Sequence, residues 1–429
     1  MLLILLKQNK MRLNFIVFLL LTSFWSFGRL SDTLTLYECY EQAVINYPVV
    51  KQKEFVKDAY MNKIKNIRTD WYPSLLLNGQ TTYQSDVVDI PVQGLELPSQ
   101  PHDQYKLYLE INQQIYDGGT NKSYKNIEDA NFEIEMKQIE VELSSLKRRI
   151  TQVYFSVLLL EKQQDLLNLT LDELHEKSIV VVSGVENGIL LPADRNVLQA
   201  EILRLEQKVL DTQLDKETML KVLGELTGIE VNTGTYLVLP ESDLEYENIY
   251  MRPEFELFDL HKKQTDLNSK LLSTMNRPKF FAFSQAGYGK PGLNMLNEEF
   301  DTYYLIGLGF RWSFFNWGDT KRKAKILYSQ KEIIDTKIET FEKNLNISLE
   351  NEIANITKYE RSVELDKQIV QLRTEVKESS FSRLKNGVIT STDFLTELNA
   401  ETQAKLQLET HLILLQQSVF NYLTLKGEI

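Results

Sequence analysis

The chain has 429 residues and is acidic, with 60 Asp and Glu against 48 Lys and Arg for a formal charge of −12, which argues against nucleic acid as a partner. Only 10 prolines and 18 glycines punctuate it, so its elements must be long, and its single cysteine, Cys39, excludes an intramolecular disulfide. Histidines 102, 175, 261 and 411 share no ligand spacing, and the carboxylates fall at helical intervals beside lysines; no enzyme, metal or cofactor site is written here.

Residues 1–28 read as a secretory signal. Lys7, Lys10 and Arg12 precede the apolar run Phe15 to Leu21, and Ser26-Phe27-Gly28 supplies small residues for cleavage; Met11 is an alternative start. The apolar core is about ten residues, against the roughly 20 of a spanning helix, so export is favoured over an anchor. Leu36-Tyr37-Glu38 before Cys39 is not a lipidation signal.

A first repeat occupies 29–228. A helix lies between Pro48 and Pro73, and the residue before proline avoids the helical region, so the helix stops at Trp71-Tyr72. Over 74–84, Leu75, Leu77, Gly79, Thr81 and Tyr83 alternate with polar residues, and over 104–115, Tyr105, Leu107, Leu109 and Ile111 alternate with Lys106, Tyr108, Glu110 and Asn112. These are two-faced strands. After the turn Asp117-Gly118-Gly119-Thr120, residues 120–186 contain almost no breaker, and a helix of that length would reach roughly 100 Å. Its stripe Ile139, Leu143, Leu146, Ile150, Val153, Val157, Leu160, Leu167, Leu171, Leu174 is of coiled-coil type. Asn187-Gly188 then turns the chain into a returning helix over 192–227.

Residues 229–250, with Gly234, Pro240 and an acidic, aromatic run, read as a linker. A second repeat over 251–429 restates the first, with strands at 279–289 and 302–315, a long helix at 320–386 and a returning helix at 391–426. Gly287-Tyr288-Gly289-Lys290-Pro291-Gly292 superficially looks like a phosphate loop but lacks its Ser/Thr and helix, and reads as a strand-end turn. Stripes Ile334, Ile338, Phe341, Leu345 and Leu365, Ile369, Leu372, Val376 mark the second long helix. The spacings agree: Pro48 to Pro73 and Pro253 to Pro278 both span 25 residues, Gly118 to Gly188 spans 70 and Gly318 to Gly387 spans 69. Asp194 and Asp393 each follow their tip glycine by six residues.

Alternating segments of about ten residues with aromatic ends, carrying Lys, Glu and amides on the polar face, fit an outer-membrane barrel, apolar to lipid and polar to a lumen. Four strands cannot close a barrel, since the smallest has about eight, so several chains must share one.

The duplicated order of helix, two strands, long helix and returning helix resembles the TolC-type outer-membrane efflux proteins. The resemblance is carried by Leu34-Thr-Leu-Tyr-Glu-Cys-Tyr-Glu-Gln-Ala-Val, Asn46-Tyr-Pro48, Trp71-Tyr-Pro73-Ser-Leu, Tyr116-Asp-Gly-Gly-Thr120 and the two Asn-Gly-x5-Asp tips. It implies a mainly α fold with a membrane β portion: a homotrimer whose shared 12-strand β-barrel, set in outer-membrane lipid, continues into a 12-helix α-barrel crossing the periplasm. It also implies the function, passive conduction in a tripartite efflux or type I secretion system. The partners would be a periplasmic adaptor docked on the tips at Gly188, Ile189, Gly387 and Val388, and an inner-membrane pump. Asp194 and Asp393 would lie at the periplasmic aperture, with helix capping as their competing role. The family's salt-bridged lock is incomplete, because Leu384, Ile389 and Thr396 stand where its Tyr, Arg and second Asp would be. The alternatives are a periplasmic coiled-coil adaptor or scaffold, against which the four strands argue, and a secreted structural protein, which would tolerate the duplicated rod but would not require a shared barrel.

Overall fold

The computed structural model describes residues 33–87, 100–241, 251–295 and 297–428. The expected signal segment and residues 242–250 of the expected linker lie outside them. In chain order the elements are β1 (Thr33–Leu34), α1 (Leu36–Asn46), a 3-10 turn (Pro48–Lys51), α2 (Gln52–Thr69), β2 (Ser74–Tyr83), β3 (Asp103–Tyr116), α3 (Thr120–Glu186) and α4 (Pro192–Thr227). Then follow β4 (Tyr236–Leu237), α5 (Pro253–Met275), β5 (Lys279–Lys290), β6 (Asp301–Arg311), α6 (Asp319–Lys385) and α7 (Ser391–Lys426). Strand β6 stops four residues short of the expected 315, because beyond Arg311 the chain leaves β5 and Trp312 Nε1 donates instead to the Asn276 carbonyl at 3.0 Å.

Local chemistry accounts for the starts and stops. Thr35 and Glu38 form a reciprocal capping box that opens α1. Asp117 accepts from the backbone N–H groups of Gly119 and Asn121, so that α3 starts directly after the turn. Helices α3 and α6 each run 67 residues. They end where Gly188 and Gly387 take φ of +73° and +67°, a left-handed conformation that glycine enters without steric cost.

The chain forms two compact units. One contains α1, β1, β4, α4, α7 and the parts of α3 and α6 from Leu143 and Asn346 onward. Its core includes Leu167, Leu174, Leu198, Ile202, Leu384, Phe394 and Leu398, and burial of each such side chain contributes about 1.5–3 kcal/mol. Elsewhere in this unit Tyr154 is fully buried, and its hydroxyl bridges the carbonyls of Leu34 (2.8 Å) and Val238 (2.7 Å). The described start of the expected linker is therefore tied down: β4 also pairs in parallel with β1.

The stripe on α3 is buried as its spacing predicts, with Leu143, Leu146, Ile150, Val157, Leu167 and Leu174 inside. On α6 the outcome differs. Leu365 and Leu372 are 60% and 61% exposed, with Ile369 and Val376 exposed beside them, while the face turned inward carries Val363, Asp366, Lys377, Ser380 and Leu384. Polar contacts satisfy that inward face. His411 Nδ1 lies 2.5 Å from Asp366, and Lys377 pairs with Glu173 (2.6 Å) and Glu401 (3.3 Å).

The other unit contains α2, α5, the earlier parts of α3 and α6, and a four-stranded antiparallel sheet of order β2-β3-β5-β6. Tyr60 of α2 stacks on Phe132 of α3 with centroids 4.6 Å apart, and Phe255 and Phe258 of α5 meet Phe341 of α6 edge-on.

Candidate functional site

Register fixes which side chains share each face of the sheet, because paired residues point the same way. Leu107 lies opposite Gly79 and Tyr288, Leu109 opposite Leu77 and Ala286, and Ile306 and Leu308 opposite Ser284 and Ala282. This face is apolar and open; Leu77, Ile306 and Leu308 are all more than 70% exposed. The opposite face carries Asn78, Gln80, Lys106, Tyr108, Glu110, Asn112, Gln285 and Arg311. Glu110 there accepts from Asn112 Nδ2 at 2.7 Å. The polar face is not uniformly polar. Phe281 and Phe283 lie on it, across from Gly309 and Gly307, where the missing side chains leave room for the rings.

Strands β2 and β6 each pair on one side only, so both edges present unpaired backbone groups among the described residues. No helix among those residues is long and apolar enough to cross a membrane. Among the described residues nothing covers the apolar face, and both edges of the sheet stay open.

The helix tips form the second region. Both turns have the same internal bonds: Asn187 Nδ2 donates to the Ser183 carbonyl and Asn386 Nδ2 to the Ser382 carbonyl, each at 2.8 Å. Ile189, Leu191 and Val388 point outward, while Leu190 and Leu384 pack inside. A Cβ on Gly188 would meet nothing within 4 Å, and one on Gly387 would lie 3.3 Å from the Ile189 carbonyl oxygen. Leu384 is in the core, Ile389 packs against it, and Thr396 Oγ1 donates to the Thr392 carbonyl, so none of the three offers a charge at the lock positions.

The two tip aspartates differ. Asp194 is buried, and its carboxylate serves two helices: Oδ2 accepts from Leu191 N (3.0 Å) and Oδ1 from Ser391 N (2.8 Å), the N-terminus of the other returning helix. Capping is the role this geometry gives Asp194, and sequence pattern alone missed its long-range half because the partner is 197 residues away. Asp393 is exposed and caps only α7, accepting from Thr390 N (3.0 Å) and Thr390 Oγ1 (2.8 Å). Those bonds, the backbone one foremost, hold its carboxyl below the usual range.

Comparison with known proteins fits this geometry. Residues 39–228 match the family model "Outer membrane efflux protein". No curated protein matches the sequence. Among solved structures, the outer membrane protein VceC of Vibrio cholerae superposes with a TM-score of 0.68 at 12% identity, covering 91% of this chain and 96% of that one. The CmeC outer membrane channel of Campylobacter jejuni gives 0.67 at 13% identity, over 91% and 85% of the two chains. The MtrE outer membrane channel of Neisseria gonorrhoeae, in its open state, gives 0.66 at 14%, over 91% and 88%. The first repeat thus matches the outer membrane efflux protein family, and the fold of the whole described chain is similar to that of these outer-membrane channels.

Proposed function

We propose that the protein is the outer-membrane channel of a tripartite efflux or type I secretion system, a passive conduit with no chemistry of its own. The observation that carries this reading is the four-stranded sheet, apolar and uncovered on one face, polar on the other, and unpaired at both edges. Three copies would supply 12 strands and close the barrel. The exposed stripe Leu365, Ile369, Leu372, Val376 supports the same assembly, since a neighbouring copy would cover what this chain leaves in water. A coiled-coil scaffold would have no use for a sheet of this kind.

Export then needs a periplasmic adaptor and an inner-membrane pump, and the tips at Gly188, Ile189, Gly387 and Val388 are the proposed docking surface. Support comes from their exposure and from the same turn in both repeats. Asp393, exposed in each of three copies, is the proposed acidic group at the aperture; Asp194 positions the tips behind it. The Gly188→Asn/Gly387→Asn variant tests docking, because Asn also tolerates the left-handed conformation. Adaptor pull-down should fall several-fold while trimer yield stays unchanged. Undiminished capture would leave the glycines as helix terminators only.

A further inference from the structure

We infer that the polar face of the sheet holds a binding site for aromatic anions, with Phe281 and Phe283 as its platform and Lys279 and Arg311 as its charge partners. The inference rests on the reading that this face lines a conduit, and names a substrate class for it. A cavity of about 700 Å³ opens on this face, and all four residues line it.

Two aromatic rings on the water-filled side of a membrane strand are unexpected for a surface that only has to be wet. Their centroids are 6.2 Å apart at 43°. Each ring lies across the backbone of β6: a Cβ on Gly307 would collide with Phe283, and one on Gly309 with Phe281. The glycines thus let the rings lie down on the sheet and turn their other faces outward, a geometry suited to offset stacking by a planar ligand.

The charges lie beside the rings. Lys279 and Arg311 are partners in the β5–β6 register, next to the Phe281–Gly309 pair on the same face. The Arg311 guanidinium sits 5.7 Å from the Phe281 centroid. Neither cation has a carboxylate partner among the described residues, in a chain of net charge −12. Two like charges in register oppose each other unless an anion joins them. Glu110 of the same cavity pairs with Gln285, six residues along β5 from Lys279 and therefore roughly 20 Å away. Asp70, also on the cavity wall, accepts from Asn121 Nδ2 at 3.2 Å. A ligand with a flat ring and an anionic group at one end would stack on the phenylalanines and place its charge between Lys279 and Arg311.

The test uses the full-length mature protein in lipid nanodiscs, dialysed to equilibrium against 1-naphthalenesulfonate, cyclohexanesulfonate or 1-naphthylmethylammonium. Naphthalenesulfonate should bind saturably and at least tenfold more tightly than either control. Lys279→Gln/Arg311→Gln should weaken it at least tenfold, and Phe281→Leu/Phe283→Leu should remove its advantage over cyclohexanesulfonate; Arg311 is exposed and the other three side chains are only partly buried, so neither variant costs the fold. Equal binding by the charge-removed variant, or equal uptake of the cation, would overturn the site. Planar-bilayer conductance of the same preparation separates this from the conduit itself: binding without conductance keeps the site and removes the conduit, whereas conductance without binding removes the site.

Discussion

Lys377→Met should lower stability by about 3–5 kcal/mol, the usual result of stripping one partner from a buried charge cluster. Lys377 and Glu401 are 3% and 1% exposed. The ammonium meets Glu173 at 2.6 Å, Glu378 at 2.9 Å and Glu401 at 3.3 Å, and Glu401 also accepts from Thr374 and pairs with Lys405, each at 2.8 Å. Without the lysine, Glu401 is left short of its central counter-charge. The double variant Lys377→Met/Glu401→Met should recover most of the loss, since apolar replacement of a buried pair is near neutral. The check is the midpoint of helical unfolding by circular dichroism, and equal loss in the single and double variants would refute the coupling.

Acid should act on the same cluster. Burial pushes the Glu401 carboxyl up, but hydrogen bonds from Lys405 and Thr374 and the nearby Lys377 charge outweigh it, so it titrates below its ordinary value. A depressed folded pKa contributes stability that is fully present above the unfolded value, and that stability is lost as the pH falls through the lower, folded one. Wild type should therefore lose more stability on acidification through that window than the double variant.

Arg placed at Leu107 or Leu109 should cost roughly 2–4 kcal/mol of barrel stability near the bilayer midplane and deplete assembled protein in the outer membrane. Arg at Asn112 or Gln80 should be tolerated. The two sets lie on opposite faces: Leu107 and Leu109 are in register with Tyr288 and Ala286, Asn112 with Phe283, and Gln80 with Lys106. Heat-modifiable mobility of membrane extracts reads the outcome, and equal tolerance at both sets would refute the facing.

Much of this was legible in the chain because it depends on local pattern. Apolar residues three and four apart mark α3, αL glycines end both long helices, and alternation marks the strands, most clearly β3. What escaped the sequence depends on neighbours. Spacing gave Leu365, Ile369, Leu372 and Val376 as an apolar stripe, but periodicity cannot say whether a stripe faces its own chain or another copy. Phe281 and Phe283 were hidden because β5 is apolar on both faces, so alternation was weakest where the cavity lies. Residues 229–250 read as a plain connector because a two-residue ladder and one tyrosine hydroxyl leave no periodic trace. Asp194 was visible as a cap for its own helix, but not as the cap for α7.

In the proposed assembly one chain builds a third of a pore. Native mass spectrometry of the mature protein released from detergent tests it most directly: a trimer that survives mild activation is the expected result, and a stable, monodisperse monomer would contradict the account.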